Sequence, residues 1–535
     1  MTSRISDFFF KRLSLLSAAE ATLISFIVMS LVGGSVLWFT EKNRTVHAKT
    51  PSYKEAVVVM TYPNSPSSPR FERREMHTLV SDISYTGEKF IDTLFTAVSA
   101  LCVTGLTSTD FSQFTLVGQI ITLILIQMGG LGIIMFTSIF AFAVVKGLSE
   151  QQDFRSIMSG ILDTEHHYVS HMIKRVIMYT ILFEGGAFLI MGVYLQWFAQ
   201  PELINHINPW WWSLFHSISA FNNAGFGLLN NNLVNFVTDP IINFTISLLI
   251  ILGGLGYPVL IAAHSFLHKK IAKKNGVAQK KLEDAEKGVV ASPVQTRIAL
   301  FGTSLLLVIG TLFPLIIDWN NPVISNLSVS GKISAMFFQS VSTRTAGFNS
   351  IDIGALGTST LFLYIILMII GANPAGTAGG IKIPTVAVLY GYIKDWFQKP
   401  RQPVTLFKHT VSKFALSHAI RLFFFSVIFI MLITYGITII ERESLYTSDP
   451  NINFIKIIFE IASAFGTVGL SMGFTGSVTS LSAIFQPLSK VLIIITMLFG
   501  RLGPLTILAA LPWKKRFASH PPSPDFRNAE KIQIG

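Results

Sequence analysis

The sequence predicts an all-α polytopic membrane protein: four repeats of span, half-helix with a sharp turn, and span, set around a pseudo-fourfold pore. Three observations lead there. Half of the residues are hydrophobic and only 13% are charged, against roughly 25% charged in soluble domains. Uncharged apolar stretches, among them 21–39, 111–145, 241–263, 298–317 and 422–440, have the roughly 17 to 25 residues needed to cross a hydrocarbon core. Four nine-residue segments superimpose on one glycine: VSALCVTGL (98–106), ISAFNNAGF (218–226), SVSTRTAGF (340–348) and ASAFGTVGL (462–470). Their anchors, Gly105, Gly225, Gly347 and Gly469, are 120, 122 and 122 residues apart, and that constancy marks an internal repeat.

Each anchor ends an apolar segment too short to span and is bracketed by longer ones. The expected spans are 18–40, 111–146, 172–198, 240–264, 298–318, 358–393, 420–440 and 488–513. The repeats are then 1–146, 147–270, 271–395 and 396–513, followed by a tail, 514–535. The first apolar stretch is of span length and lacks a small-residue cleavage site, so it is expected to stay as the first membrane helix. The connections 264–297 and 394–421 carry eight and six Lys/Arg, whereas 199–210 and 319–331 carry none. The positive-inside rule therefore puts both termini and the tail in the cytoplasm of a multi-pass protein of the cell (inner or plasma) membrane. Segment 41–89 must then be external, although it has eight Lys/Arg against six Asp/Glu. Its four prolines predict an irregular excursion with little secondary structure.

The net charge of +12 is dispersed between apolar spans, which fits membrane topology and argues against nucleic acid as a partner. Cys102 is the only cysteine, so an intrachain disulfide and a multi-cysteine metal site are excluded. No soluble stretch of domain length remains for an attached ATPase. No nucleophile and base constellation, HExxH, Walker A or GxGxxG is present.

Non-helical backbone at membrane depth is tolerated only where protein or water surrounds it, so four such turns should face one another. Each half-helix would aim its C-terminal partial negative charge at the common axis, and the turn carbonyls could replace the water around a cation. The candidate donors are Val103, Thr104 and Gly105; Asn223, Ala224 and Gly225; Thr345, Ala346 and Gly347; and Val468 and Gly469. Glycine at the anchor permits positive φ and a close approach to an ion. The glycine clusters at 129–132 and 253–256 are read as close helix packing. GANPAGTAGG (371–380) has four glycines and a proline and should break its helix just below the turns. That loop has no regular hydrogen-bonding pattern of its own in this reading, so small free-energy changes could shift it.

These residues resemble the Trk, Ktr and HKT superfamily of potassium transporters, most closely the Ktr-type membrane subunit. The resemblance covers about 15–513 and rests on TGL (104–106), NNAGF (222–226), RTAGF (344–348), TVGL (467–470), GTAGGIK (376–382) and GRLGPLT (500–506). A single span before the first turn favours Ktr over Trk, while the length of 41–89 departs from the Ktr pattern. The resemblance implies a potassium-selective filter at the four turns, because glycine at all four anchors goes with potassium and serine at the first with sodium. It implies a gate at 371–380, with Gly371, Gly376, Gly379 and Gly380 in the loop, and contact of the loop with Arg501. It also implies a homodimer on a cytosolic ring of nucleotide-binding regulatory subunits, with the C-terminal EKIQIG at the dimer interface. Potassium is the transported ion and sodium the second candidate; no organic cofactor is expected.

Other polar residues carry expectations of their own. Lys382 either belongs to the gate or snorkels to the cytoplasmic surface. Arg501, inside an apolar run, must face a cavity or a partner, or bind backbone carbonyls. Asp92 is expected to cap the first half-helix, Glu184 to make a buried interhelical hydrogen bond, Arg344 to brace the third turn, and His216 to serve packing. Rival readings are a sodium-coupled potassium symporter, the conducting subunit of a pump, and, in another class, an integral membrane enzyme. The last would need clustered intramembrane acids or histidines, which the sequence lacks.

Overall fold

The computed structural model describes residues 18–42, 45–46, 57–60, 71–74, 85–86, 89–131, 166–274, 292–398, 404–407, 409–442, 453–473 and 480–503. It is mostly helical. Among the described residues four helices are long and apolar enough to cross a membrane unbroken: α1 (Ala18–Glu41), α4 (His166–Trp197), α8 (Pro293–Ile317) and α12 (Lys413–Ile440). Each opens one expected repeat. In α8 and α12 only 22% of the spanning window is buried within the chain, so these helices are outer staves whose Leu, Ile and Phe face lipid.

Four shorter helices follow the staves: α2 (Phe90–Leu101), α5 (Pro209–Phe221), α9 (Val329–Ser342) and α13 (Phe454–Gly466). At 12 to 14 residues and 1.5 Å per residue they cannot cross the hydrocarbon. Side chains at their starts take the orphan amides: Asn208 accepts from Trp210 and Trp211, Ser328 from Gly331 and Asn453 from Lys456. Asp92 does not cap the first. That helix starts after Lys89, and Asp92 sits within its first turn, where its carboxylate accepts from Lys490 Nζ at 2.6 Å.

The return helices are α3 (Leu116–Gly130), α6 (Pro240–Leu255), α10 (Thr358–Ile369) and α14 (Pro487–Leu502), with α7 (Tyr257–Lys274) and α11 (Ile383–Gln398) continuing two of them. The expected span 240–264 is bent by 99° at Gly256, which has φ +86°, so its glycines serve a bend as well as packing. The span expected from 111 begins as a helix only at Leu116, because Asp110 caps a short 3-10 turn first and Thr115 then caps the α-helix. Residues 132–146 and 504–535 lie outside the described residues, with the ends of two expected spans, the tail and its EKIQIG; so does most of the basic connection, 275–291.

A carboxylate fastens stave to return helix at the same place in three repeats. Glu41 accepts from the Thr115 hydroxyl at 2.6 Å and amide at 3.2 Å, Asp318 from the Gly357 amide at 3.0 Å, and Glu441 from the Gln486 amide at 2.7 Å. In each case the acceptor ends or immediately follows the stave and the donor caps the return helix, so an orphan helix-start amide is satisfied. The second repeat inverts the roles: Tyr194 on the stave donates to Asp239, the cap, at 2.7 Å. Segment 41–89 differs from expectation. Among its described residues Thr45–Val46 pairs with Tyr85–Thr86, and Val57–Met60 with Phe71–Arg74, both antiparallel; the β-branched run Val57–Val59 favours a strand.

Apolar clusters join the quarters in sequence. Phe111 packs on Phe215 and Phe226, Val98 shares a core with Phe465 and Met497, and Met368 one with Phe459 and Val468.

Candidate ion pathway

The four half-helices end in turns of one shape. Val103, Asn223, Thr345 and Thr467 have φ between +49° and +67°, and two residues on the anchors Gly105, Gly225, Gly347 and Gly469 have φ between +72° and +96°. Left-handed residues two apart end the regular helical pattern, so the carbonyls of the turn are released from the helix ladder.

The anchors also touch. A Cβ added to Gly105 would lie 2.5 Å from the Ala224 carbonyl oxygen and 3.1 Å from Gly225 Cα; one on Gly225 would lie 2.7 Å from the Ala346 oxygen and 3.0 Å from Gly347 Cα. One on Gly347 would strike the Val468 oxygen, and one on Gly469 the Thr104 oxygen. The contacts run from each repeat to the next and close on the first, so the four turns form a ring.

Sequence reasoning missed the serines that shape these turns, although they stand inside the aligned segments. Ser99 accepts the Thr104 amide on its carbonyl and the Gly105 amide on its hydroxyl, at 2.7 and 3.0 Å; Ser463 does the same for Val468 and Gly469, at 2.8 and 3.0 Å. Ser219 takes the Ala224 amide at 2.8 Å while its hydroxyl donates to the Phe226 carbonyl at 2.8 Å. Ser342 accepts from Ala346 and Gly347, and its hydroxyl donates to the Phe348 carbonyl. Amides tied back to the half-helix leave the carbonyls as the groups free to meet a cation.

Outside the ring, a cavity of about 310 Å³ opens on all four glycines and is walled by Asp110, Asp352, Asn231 and Ser471 among others. Against the opposite face of the ring lies the 371–380 segment, with Gly379 on the Thr467 side chain. The chain leaves helical form at Ile370 and resumes it at Ile383. The segment is held more firmly than the sequence implied. The Asn373 and Thr377 amides donate to the Gly254 and Gly253 carbonyls at 3.1 and 3.2 Å, and the Thr377 hydroxyl donates to the Phe221 carbonyl at 3.2 Å. Gly380 N–H reaches the Gly500 carbonyl at 3.3 Å.

Three buried or half-buried cations surround that segment and bond to backbone oxygens. Arg501 donates through one terminal nitrogen to Thr377 and through the other to Gly129, joining the loop to the first and fourth repeats. Lys382 donates to Ala378 at 2.6 Å and Gly379 at 3.3 Å, so its ammonium turns back on the loop and does not snorkel. Arg344 donates to Gly371 at 3.2 Å, linking the third turn to the loop's start. Gly376 packs against Gly253 and Gly256, Gly379 against the Thr467 side chain, and Gly371 and Gly380 against each other.

Glu184 accepts from Asn222 Nδ2 at 2.9 Å, an interhelical bond made to the residue just before the second turn. His216 is fully buried, stacks on Trp212 at 3.7 Å between centroids and meets the Trp212 carbonyl. Among the described residues no group of three His, Cys, Asp or Glu is placed to hold a metal.

Membrane-length staves around a ring of re-entrant half-helices, whose turns converge on one axis, have the form of a channel-like ion transporter. The sequence matches the TrkH family, described as cation transport protein, over residues 19–517; the chain belongs to that family. It is 33% identical to the Ktr system potassium uptake protein B of Vibrio alginolyticus over 428 residues, 79% of this chain and 85% of that protein. It is 32% identical to the potassium/sodium uptake protein NtpJ of Enterococcus hirae, covering 80% and 87% of the two chains. The crystal structure of the potassium transporter TrkH from Vibrio parahaemolyticus shares the fold, with a TM-score of 0.56 over 79% of each chain at 16% identity.

Proposed function

We propose that this family member carries potassium into the cell through a pore on the axis of the four turns. Val103–Gly105, Asn223–Gly225, Thr345–Gly347 and Val468–Gly469 supply the carbonyl ligands of its filter. The observation that carries this reading is the closed ring of left-handed glycines, each against the next repeat's carbonyl oxygen. Backbone oxygens replace a dehydrated ion's shell without placing a charge in its path. The 371–380 segment, with Lys382 and Arg501, is the gate: it lies beneath the filter, and its cations oppose passage of another cation. The reading supposes that four consecutive repeats make up the chain and that both termini are cytoplasmic.

Relatives named as parts of a Ktr system support control by a second chain, which we place on the cytoplasmic face as a nucleotide-binding ring beneath a homodimer. The test of function is flux from the purified protein in liposomes, comparing potassium with sodium. Passive potassium flux favoured over sodium supports the reading. Flux of potassium only with a sodium gradient would support the symporter, a reading that the name potassium/sodium uptake protein of the Enterococcus relative keeps in view.

A further inference from the structure

Nine residues before the anchors stand Thr96, His216, Phe338 and Glu460 in turn. Each lies on the half-helix behind the filter, and the fourth is a fully buried acid. Glu460 Oε2 accepts from the Ser471 hydroxyl at 2.6 Å, while Oε1 accepts from the Ser482 amide at 3.0 Å and meets its hydroxyl at 2.5 Å. Ser471 is two residues beyond Gly469 and lines the cavity that opens on the four anchors. Its oxygen already accepts from the Gly473 and Leu481 amides, at 3.1 and 2.9 Å. Both lone pairs are used, so the Ser471 proton goes to Glu460. Among the described residues no Lys, Arg or His stands within ion-pair distance of this carboxylate. In the second repeat the same position backs the same wall, since a Cβ on Gly227 would lie 3.4 Å from His216 Nε2. Only the fourth repeat puts an acid there.

We infer that Glu460 is a positioning residue of the ion pathway, whose fixed negative charge, held behind the filter's outer mouth by Ser471 and Ser482, sets the affinity of that mouth for a monovalent cation. The inference rests on the filter reading above. A charge in low-dielectric surroundings is felt by a cation in the adjacent cavity without touching it. The serines hold the carboxylate against the cavity wall, and a cation in the cavity feels the charge through that wall without touching the acid.

The experiment is initial potassium flux against potassium concentration, with the full chain in liposomes. Glu460→Gln keeps the side chain's size and removes its charge. The half-saturating concentration should rise about five-fold, with the maximal rate within about twofold of the parent. Glu460→Asp keeps the charge and should restore half-saturation to within about twofold, whatever its maximal rate. Gln cannot satisfy both serines, because its amide nitrogen would face either the filled Ser471 oxygen or the Ser482 amide. Should it not fold, Glu460→Met with Ser471→Ala and Ser482→Ala removes the network together with the charge, and the same rise is expected. Parental half-saturation in the neutral variant that folds overturns the inference, as does an equal rise in Glu460→Asp. Gly469→Ser separates the two levels. If it leaves the potassium to sodium flux ratio unchanged, the filter reading fails; if it lowers the ratio while neutral variants keep parental half-saturation, only the role of Glu460 fails.

Discussion

A side chain at Gly105 meets two obstacles at once. Its φ of +96° costs an L-residue roughly 1–2 kcal/mol, and its Cβ would press on the Ala224 oxygen at 2.5 Å. Serine there must push the second turn aside or tilt its carbonyl away from the axis. Gly105→Ser should therefore lower the potassium to sodium flux ratio about tenfold, a loss of roughly 1.4 kcal/mol of discrimination; an unchanged ratio in liposomes would remove Gly105 from the filter. The anchors were legible in the sequence because the requirement is local: positive φ selects glycine, and it recurs at a fixed period. The serines beneath them were equally visible, at 99, 219, 342 and 463. The third stands one place nearer its anchor than the others, so an alignment column does not isolate it. The Lys490 partner of Asp92, 398 residues away, has no local signal at all, and Asp92 near a helix start reads as a cap until the tertiary contact is seen.

At the scale of elements, the loop between α10 and α11 depends on partners it does not supply. Arg501 spans the Thr377 and Gly129 carbonyls with two nitrogens of one planar fork, a reach that a lysine ammonium does not reproduce. Arg501→Ala should raise potassium flux severalfold without any partner chain, and Arg501→Lys should not restore the parental rate; deletion of 376–380 should act in the same direction. If both the Ala and the deletion variants insert normally and conduct no faster, the segment is a structural hinge. The Asp92–Lys490 pair makes a separate prediction about stability. Breaking one side of a buried pair leaves an uncompensated charge, at a cost of about 3–5 kcal/mol. Lys490→Met should thus lower the unfolding temperature in detergent more than the double variant Asp92→Leu with Lys490→Met. Sequence predicted the break at 371–380 from its glycines and proline. It missed how firmly that break is held, because the receiving carbonyls of Gly253, Gly254 and Phe221 belong to another repeat.

For the whole molecule, the testable feature is orientation. The proposed topology puts the basic connections 268–295 and 394–418 in the cytoplasm, and Cys102 is fully buried, so an engineered thiol can be read against a quiet background. A cysteine at Lys274 should stay unlabelled by an impermeant reagent applied to intact cells and react once the membrane is permeabilised; labelling from outside would invert the topology. The order of long and short apolar segments carried the architecture, since bilayer thickness sorts helices by length. Nothing comparable encodes how the quarters close on one another, which depends on contacts such as Val98 with Phe465 across most of the chain.

The segment pinned by Arg501 belongs to one repeat out of four. A pore assembled from identical subunits must duplicate any obstruction four times and withdraw the copies together or one by one. Here the quarters share a chain and have diverged, so under the proposed gate one obstruction suffices and its withdrawal is a single event. Recordings from one pore should then show two current levels with no intermediate steps, and the waiting time before opening should follow one exponential.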